Sequence, residues 1–322
     1  MHTITRRSLL RNGATLAAGG LLPGWATANR TQPLRVWRYK GTIAYFLDDA
    51  GQAQAPYPLE WVDIAGGNLV LEALTSNSLD YAFMSEIPPI FASIAKAPLA
   101  LIASYSGDNN KTGIVVKKNS GIQQVSDLRG KRISYVRATN THYLVLNMLR
   151  QNGLALSDVQ AIPLPAQDGL SAFQNGHIDA LVTGGISAIH AEANLDGVLL
   201  QSAEGYYSGN YLIATTRTAL AKPGKRAAIG DFLLREKAAW DWIESHPEQW
   251  ALRSEKLTGI PRQLYLQQFE QRSQPAQIKP VEDAAIEAQQ QVADVFYESG
   301  LIQQKVNVRP LWDKQFSELL SR

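Results

Sequence analysis

Cysteine is absent from all 322 residues. Disulfides, thiol nucleophiles and cysteine-based metal sites are therefore excluded. Histidine is scarce too: five occur, at positions 2, 142, 177, 190 and 246, and no two stand at the spacing that brings a pair of ligands to one helix face. A nucleophile-elbow pattern and a glycine-rich phosphate loop are also missing, so the common hydrolase and nucleotide signatures find no footing. Beyond the N-terminal segment no apolar run approaches the roughly 20 residues that span a bilayer, and membrane insertion is not expected. Basic and acidic residues nearly balance, at 31 and 29, which leaves no electrostatic footprint for nucleic acid. The chain shows no internal repeat and no low-complexity segment.

What is present begins with a leader-like N-terminus. Arg6 and Arg7 stand side by side, a mildly apolar stretch runs from Ala14 to Leu22, and Ala26-Thr27-Ala28 offers a small-x-small cleavage site. That order is the order of a twin-arginine export signal. Residues 1–28 are expected to be removed on export to the periplasm, leaving 322 less 28, or 294, residues from Asn29 onward. Taking Arg6, Arg7 and Arg11 from the 31 basic residues leaves 28 against 29 acids, a net charge of −1. A soluble, near-neutral chain of this length can bury two sizeable cores.

Short apolar runs then alternate with helical patterns, which points to an α/β architecture with mostly parallel sheets. Strands are expected at Leu34–Arg38, Leu59–Ile64, Leu79–Met84, Leu99–Ser104 and Gly113–Val116, with helices after Gly66-Gly67-Asn68 and Pro88-Pro89. The scheme repeats with strands at Lys131–Val136, Val159–Leu164, Ala180–Val182 and Val198–Gln201, a helix from Thr139 to Arg150 and another around Phe173. Tyr211–Thr216 is expected to return the chain to the first lobe, and helices follow to the end. Two crossings between lobes make a hinge with a cleft beside it. The expected division is 29–116 with 212–322 as the first lobe and 117–211 as the second.

Several segments carry a family resemblance: Arg38-Tyr39-Lys40-Gly41, Gly66–Leu74, Ser85-Glu86-Ile87-Pro88-Pro89-Ile90-Phe91-Ala92, Asp127–Arg132, Asn140-Thr141-His142-Tyr143, and the stretch from Lys279 to Trp312. In this order and spacing the chain resembles the periplasmic aliphatic sulfonate-binding proteins of ABC importers, within the taurine, nitrate and sulfonate group of type II solute-binding proteins. The resemblance implies a two-lobed fold and a monomer without cofactor or metal. It also implies capture of a small organic anion, a sulfonate or related sulfate ester, for a permease and its ATPase. No catalysis is implied. Two alternatives stand beside it: a fold-related periplasmic enzyme acting on a sulfonate or sulfinate, and a sensor presenting ligand to a receptor.

A sulfonate stays anionic at physiological pH, so its site needs fixed donors, and helix N-termini supply them. Thr139, Asn140, Thr141 and His142 are the expected cradle in the second lobe, with Arg137 beside it; the plain alternative is an N-cap. Ser85, Glu86 and Ile87 form the matching helix start in the first lobe. Glu86 is read either as holding a loop or neutralising Lys40 or Arg38, or as a first-turn acid complementing the helix dipole. Tyr39, Lys40 and Gly41 close the first strand, and Gly67 lies in the remaining turn of that lobe. At Thr183-Gly184-Gly185 the chain departs from the family pattern of tryptophans and an acid before proline. That departure implies a wider pocket without a carboxylate for an amine, which disfavours taurine. Tyr211, with Tyr206 and Tyr207, is expected to supply aromatic wall instead. A Ser85–His142 pair across the cleft is the one hydrolytic arrangement the sequence allows.

Overall fold

The computed structural model describes residues 32–64 and 67–321; the leader expected over 1–28 and Gly66 lie outside them. The chain builds β1 (Leu34–Arg38), β2 (Leu59–Asp63), α1 (Gly67–Thr75), β3 (Ala82–Ser85), α2 (Pro88–Ile94) and β4 (Leu99–Ser106). It then crosses to β5 (Thr112–Lys117), β6 (Arg132–Tyr135), α3 (Asn140–Gln151), β7 (Gln160–Pro163), α4 (Ala166–Gln174), β8 (Ala180–Gly184), α5 (Ile186–Asn194) and β9 (Gly197–Ser202). The return is β10 (Asn210–Thr216), followed by α6 (Arg217–Leu220), α7 (Pro223–Ser245), α8 (Pro247–Thr258), α9 (Arg262–Gln271), β11 (Ile278–Lys279), α10 (Asp283–Glu298) and α11 (Ser317–Leu320).

Two sheets organise the molecule. One has the order β11-β4-β10-β3, extended by the pair β1-β2 through a bridge between Val36 and Tyr81; the other runs β7-β6-β8-β5-β9. Parallel pairing holds for β1–β2 and for β6 with β7 and β8, as the alternation of strand and helix requires. Pairing is antiparallel wherever β5 or β10 takes part, since each enters its sheet from the other lobe. β5 hydrogen-bonds β8 and β9, so Gly113–Val116, expected to leave the first lobe, is already a strand of the second sheet. The crossings themselves are residues 107–111 and 203–209. They are tied by Gly107 N–H to Gly209 O at 2.7 Å and by the Asn109 amide to Tyr207 O at 2.8 Å.

β4 is buried at every position, as the apolar run Leu99–Ala103 demands of a strand flanked on both sides, and Ser104 and Ser106 are buried with it. α7, started by Pro223, lays Ile229, Phe232 and Leu233 on the first sheet. Its Lys225 joins Arg35 of β1 on the buried Asp80 carboxylate, which fixes the helix to the sheet. α10 brings Val292, Val295 and Phe296 into an apolar cluster that also holds Leu144, Val145 and Met148 of α3, so one core passes between the lobes.

Candidate functional site

β1 closes in a turn in which Thr42 bonds Tyr39 O through both its N–H, at 3.0 Å, and its hydroxyl, at 2.8 Å. Gly41 adopts φ +83°, and a side chain there would find open space; the glycine answers the turn's backbone rather than a close approach. Tyr39 is 42% exposed, and Lys40 is exposed beside it. Gly67 opens α1.

β3 delivers Ser85, which pairs with Tyr211 of β10. Beyond it Ile87 is fully buried and caps α2. Because α2 starts with Pro88 and Pro89 and has seven residues, it offers few amide donors of its own. The Ile87 amide remains, and among the described residues it has no acceptor.

Glu86 neutralises neither Lys40 nor Arg38; Arg38 pairs instead with Asp63 at 2.9 Å. The Glu86 side chain turns into the hinge. Ser208 Oγ donates to Oε2 at 2.6 Å and the Asn210 amide to Oε1 at 3.3 Å, while Gln289 of α10 donates to its backbone carbonyl at 3.0 Å. Burial pushes this carboxyl up to about 7, against the pull of the donors from Ser208 and Asn210 and of the Tyr207 side chain near it. Its task is to hold a loop, the first of the expected readings.

In the second lobe β6 ends at Tyr135, Arg137 is exposed, and Ala138 sits at φ +57°, a left-handed conformation costly for a residue with a Cβ. Thr139 turns extended and α3 begins. The Thr139 hydroxyl donates to Val136 O at 2.8 Å, and the Thr141 hydroxyl accepts from Val136 N–H at 2.9 Å. Both hydroxyls thus shape the turn, and the Thr139 and Asn140 amides are left without acceptors among the described residues. The Asn140 side chain stands near Tyr211 across the lobes and pulls its hydroxyl down against the rise that burial causes, while its Oδ1 accepts the Thr141 N–H at 3.0 Å.

His142 is 5% exposed and stacks on Tyr135 at 4.8 Å, with Phe296 at 5.7 Å. Its Nδ1 accepts the strained Ala138 N–H at 3.2 Å, so the neutral ring carries its proton on Nε2, which has no partner. Burial first, then the nearby Arg137 charge, lowers the imidazole to about 4. A neutral ring of this kind, already bonded at Nδ1, does not suit general-base work with Ser85, which lies within a strand pair.

At the end of β8 the two glycines have separate reasons. A Cβ on Gly184 would come within 2.5 Å of Thr112 Oγ1. Gly185 combines φ +56° with ψ −133°, and a Cβ there would meet the Gln268 amide nitrogen at 3.0 Å. The expected extra room beside Thr183, Gly184 and Gly185 is thus taken up in part by Gln268 of α9, a helix that packs on α5. The aromatic wall is built differently as well. Tyr211 stacks on Tyr105 at 5.1 Å, Trp240 lies 5.3 Å from Tyr105, and Phe83 links both tyrosines to Trp37, 4.7 Å away. Tyr206 and Tyr207 stand elsewhere: with Tyr143, Asn147 and Ser208 they line a cavity of about 540 Å³ between α3 and α10. Gln268, Tyr105, Trp240, Ser208 and Asn210 reach the candidate site from distant segments and carry no motif that sequence reasoning could find.

Comparison with known proteins identifies the family and the fold. The NMT1/THI5-like family profile matches residues 59–250. A relative from Escherichia coli (strain K12), named for aliphatic sulfonates binding, is 33% identical over 311 residues, covering 93% of this chain and 96% of its own. The crystal structure of the periplasmic aliphatic sulphonate binding protein SsuA from Escherichia coli superposes with a TM-score of 0.79 at 29% identity, over 88% of this chain and 92% of that one. The alkanesulfonate-binding protein SsuA from Xanthomonas axonopodis pv. citri, bound to MOPS, shares the fold with a TM-score of 0.80 at 24% identity, over 87% and 98%.

Proposed function

The chain belongs to the NMT1/THI5-like family, and from that footing we propose that it is the periplasmic solute-binding component of an ABC importer. In this reading it captures an organosulfonate, or an organic sulfate ester, between its lobes and delivers it to a permease. The observation that carries the reading is that the start of α3 at Asn140 lies near Tyr211 of the return strand. Tyr211 is paired to Ser85, two residues before Ile87, so the amide-bearing turns of both lobes border one crevice. The relatives named for sulfonate binding support the choice of anion.

A permanent anion suits such a site. The Ile87, Thr139 and Asn140 amides and the Nε2–H of His142 are fixed donors that need no titration. Each charge-assisted bond contributes about 1.5–3 kcal/mol, and micromolar affinity needs about 8 kcal/mol. Tyr39, Lys40, Arg137, Thr183 and Gln268 border the same ends of the sheets and complete the rim. The aromatic cluster of Trp37, Phe83, Tyr105, Tyr211 and Trp240 favours a cyclic or aryl tail, and no carboxylate at 183–185 awaits an ammonium, which disfavours taurine. In this reading the lobes divide at 107–111 and 203–209, and the N-terminal leader directs export.

Titration calorimetry with a panel of alkane- and arylsulfonates and sulfate esters tests the proposal. One-to-one binding is expected, strongest for cyclic or aromatic tails, with ligand recovered chemically unchanged. No heat from any member of the panel rejects the ligand class, and a product detected by mass spectrometry turns the reading toward an enzyme.

A further inference from the structure

Glu86 holds a place that anion binding alone does not explain. Its side chain is fully buried, and among the described residues no Lys, Arg or His pairs with it. Both side-chain donors to its carboxylate, Ser208 and Asn210, are neutral and come from the hinge crossing or the strand it enters. A buried carboxylate held only by neutral donors keeps most of its desolvation cost. One residue along the chain lies the free amide of Ile87. An anion placed on that amide and enclosed by the second lobe adds a second negative charge in a medium of low dielectric, where like charges cannot both persist cheaply.

We propose that capture of the anion is coupled to uptake of one proton by the Glu86 carboxylate, so that the hinge registers the charge of the ligand. The inference rests on the sulfonate-binding reading and adds to it. The step is a simple protonation: solvent supplies H⁺, a carboxylate oxygen of Glu86 receives it, and no other bond is made or broken. Ser208 provides the route. Its hydroxyl bonds Glu86 Oε2 and also lines the cavity of about 540 Å³ between α3 and α10, which opens to solvent. The other titratable groups facing Glu86 are Tyr207 from the hinge and Tyr143 from α3. Burial raises both, Tyr143 to about 12, so each stays protonated near neutrality. Tyr211 of β10 is likewise raised, and α10 presents the neutral Gln289. Arg150, beyond Tyr143, is occupied by Glu298 at 2.8 Å. The elevated proton affinity of Glu86, with its midpoint at about 7, places the exchange within the range where the effect is measurable.

Calorimetry of the wild-type chain with an arylsulfonate, repeated in buffers of different ionisation heat from pH 6 to 8.5, measures the proton count. A fraction approaching one proton taken up per anion is expected above neutrality. Affinity should fall about tenfold for each unit by which the anion shifts the Glu86 proton affinity. Whatever its absolute affinity, Glu86→Gln should take up no proton. Ser208→Ala, which removes one donor to the carboxylate, should move the pH midpoint upward and serves if Glu86→Gln does not fold. Binding that is independent of buffer heat across the range overturns the coupling alone. Proton uptake undiminished in Glu86→Gln does the same. Failure of the wild type to bind at pH 6 overturns the underlying reading and this one with it.

Discussion

Gly185 shows how a single residue is constrained from two directions. With φ +56° and ψ −133° it occupies a region closed to side chains, and the space where a Cβ would stand adjoins Gln268. The backbone is the larger of the two effects, because strained dihedrals of this kind cost about 1–3 kcal/mol while an amide on a flexible side chain can move aside. Gly185→Ala should therefore lower stability by about 1–3 kcal/mol in urea unfolding, and adding Gln268→Ala should restore little of it. Full recovery in the double variant would assign the cost to the contact instead. Substituting a bulky residue at Gly185 is thus a poor probe of pocket width. Gln268, whose side chain can be varied without touching the backbone, is the better one.

At the scale of elements, α7 depends on a buried charge. Asp80 receives Lys225 from the helix and Arg35 from β1, and these partners hold its carboxyl below the ordinary range in spite of burial. Removing one member of a buried pair leaves the other uncompensated, which costs about 3–5 kcal/mol. Asp80→Asn should lower stability by about 3 kcal/mol in denaturant unfolding, and a loss below about 1 kcal/mol would show that water or a shifted side chain takes up the lysine. α2 illustrates the opposite case: its two prolines give up amides at the helix start, so in the proposed site the first lobe would contribute single backbone donors rather than a helix end. α3, with twelve residues and its turn braced by Thr139 and Thr141, is the stronger half of the proposed cradle.

For the whole molecule, buried titrating groups set how stability varies with pH. Glu86 and Glu236 are both raised by burial from an ordinary value of 4.5 to about 7. Tyr81 donates to Glu236 Oε2, and Oε1 has no partner. Between those two values the folded chain binds more protons at these groups than the unfolded chain. Their contribution is complete below pH about 4.5 and is lost as pH rises through about 7. His142, lowered from 6.5 to about 4, works in the other direction below pH about 6.5. The net excess near pH 5–6 is about one proton, which corresponds to a loss of about 1.4 kcal/mol for each unit of rising pH. Unfolding midpoints of the unliganded chain should fall between pH 5 and 7, and Glu236→Gln should flatten the slope. A stability that climbs over this interval would mean that both carboxyls stay ionised in the folded state.

The sequence alone determined the alternation of strands and helices, because apolar period and the Gly, Pro, Thr and Asn signals at their ends are local properties. The span of α3, the proline start of α2 and the return strand at Tyr211–Thr216 were all readable in this way, and so were the turns that border the cleft. The partners of those turns were not. Glu86 reads as well as a first-turn acid as it does as a holder of a loop until Ser208 and Asn210 are brought to it from more than a hundred residues away. Gly185 likewise reads as open space until α9 arrives with Gln268. Tyr206, Tyr207 and Tyr211 look equivalent along the chain, yet the hinge sends the first two to one side of α3 and the third to the cleft. Local pattern sets what each segment becomes; which side chains share a buried volume depends on how the crossings close, and a buried charge takes its protonation state from that volume.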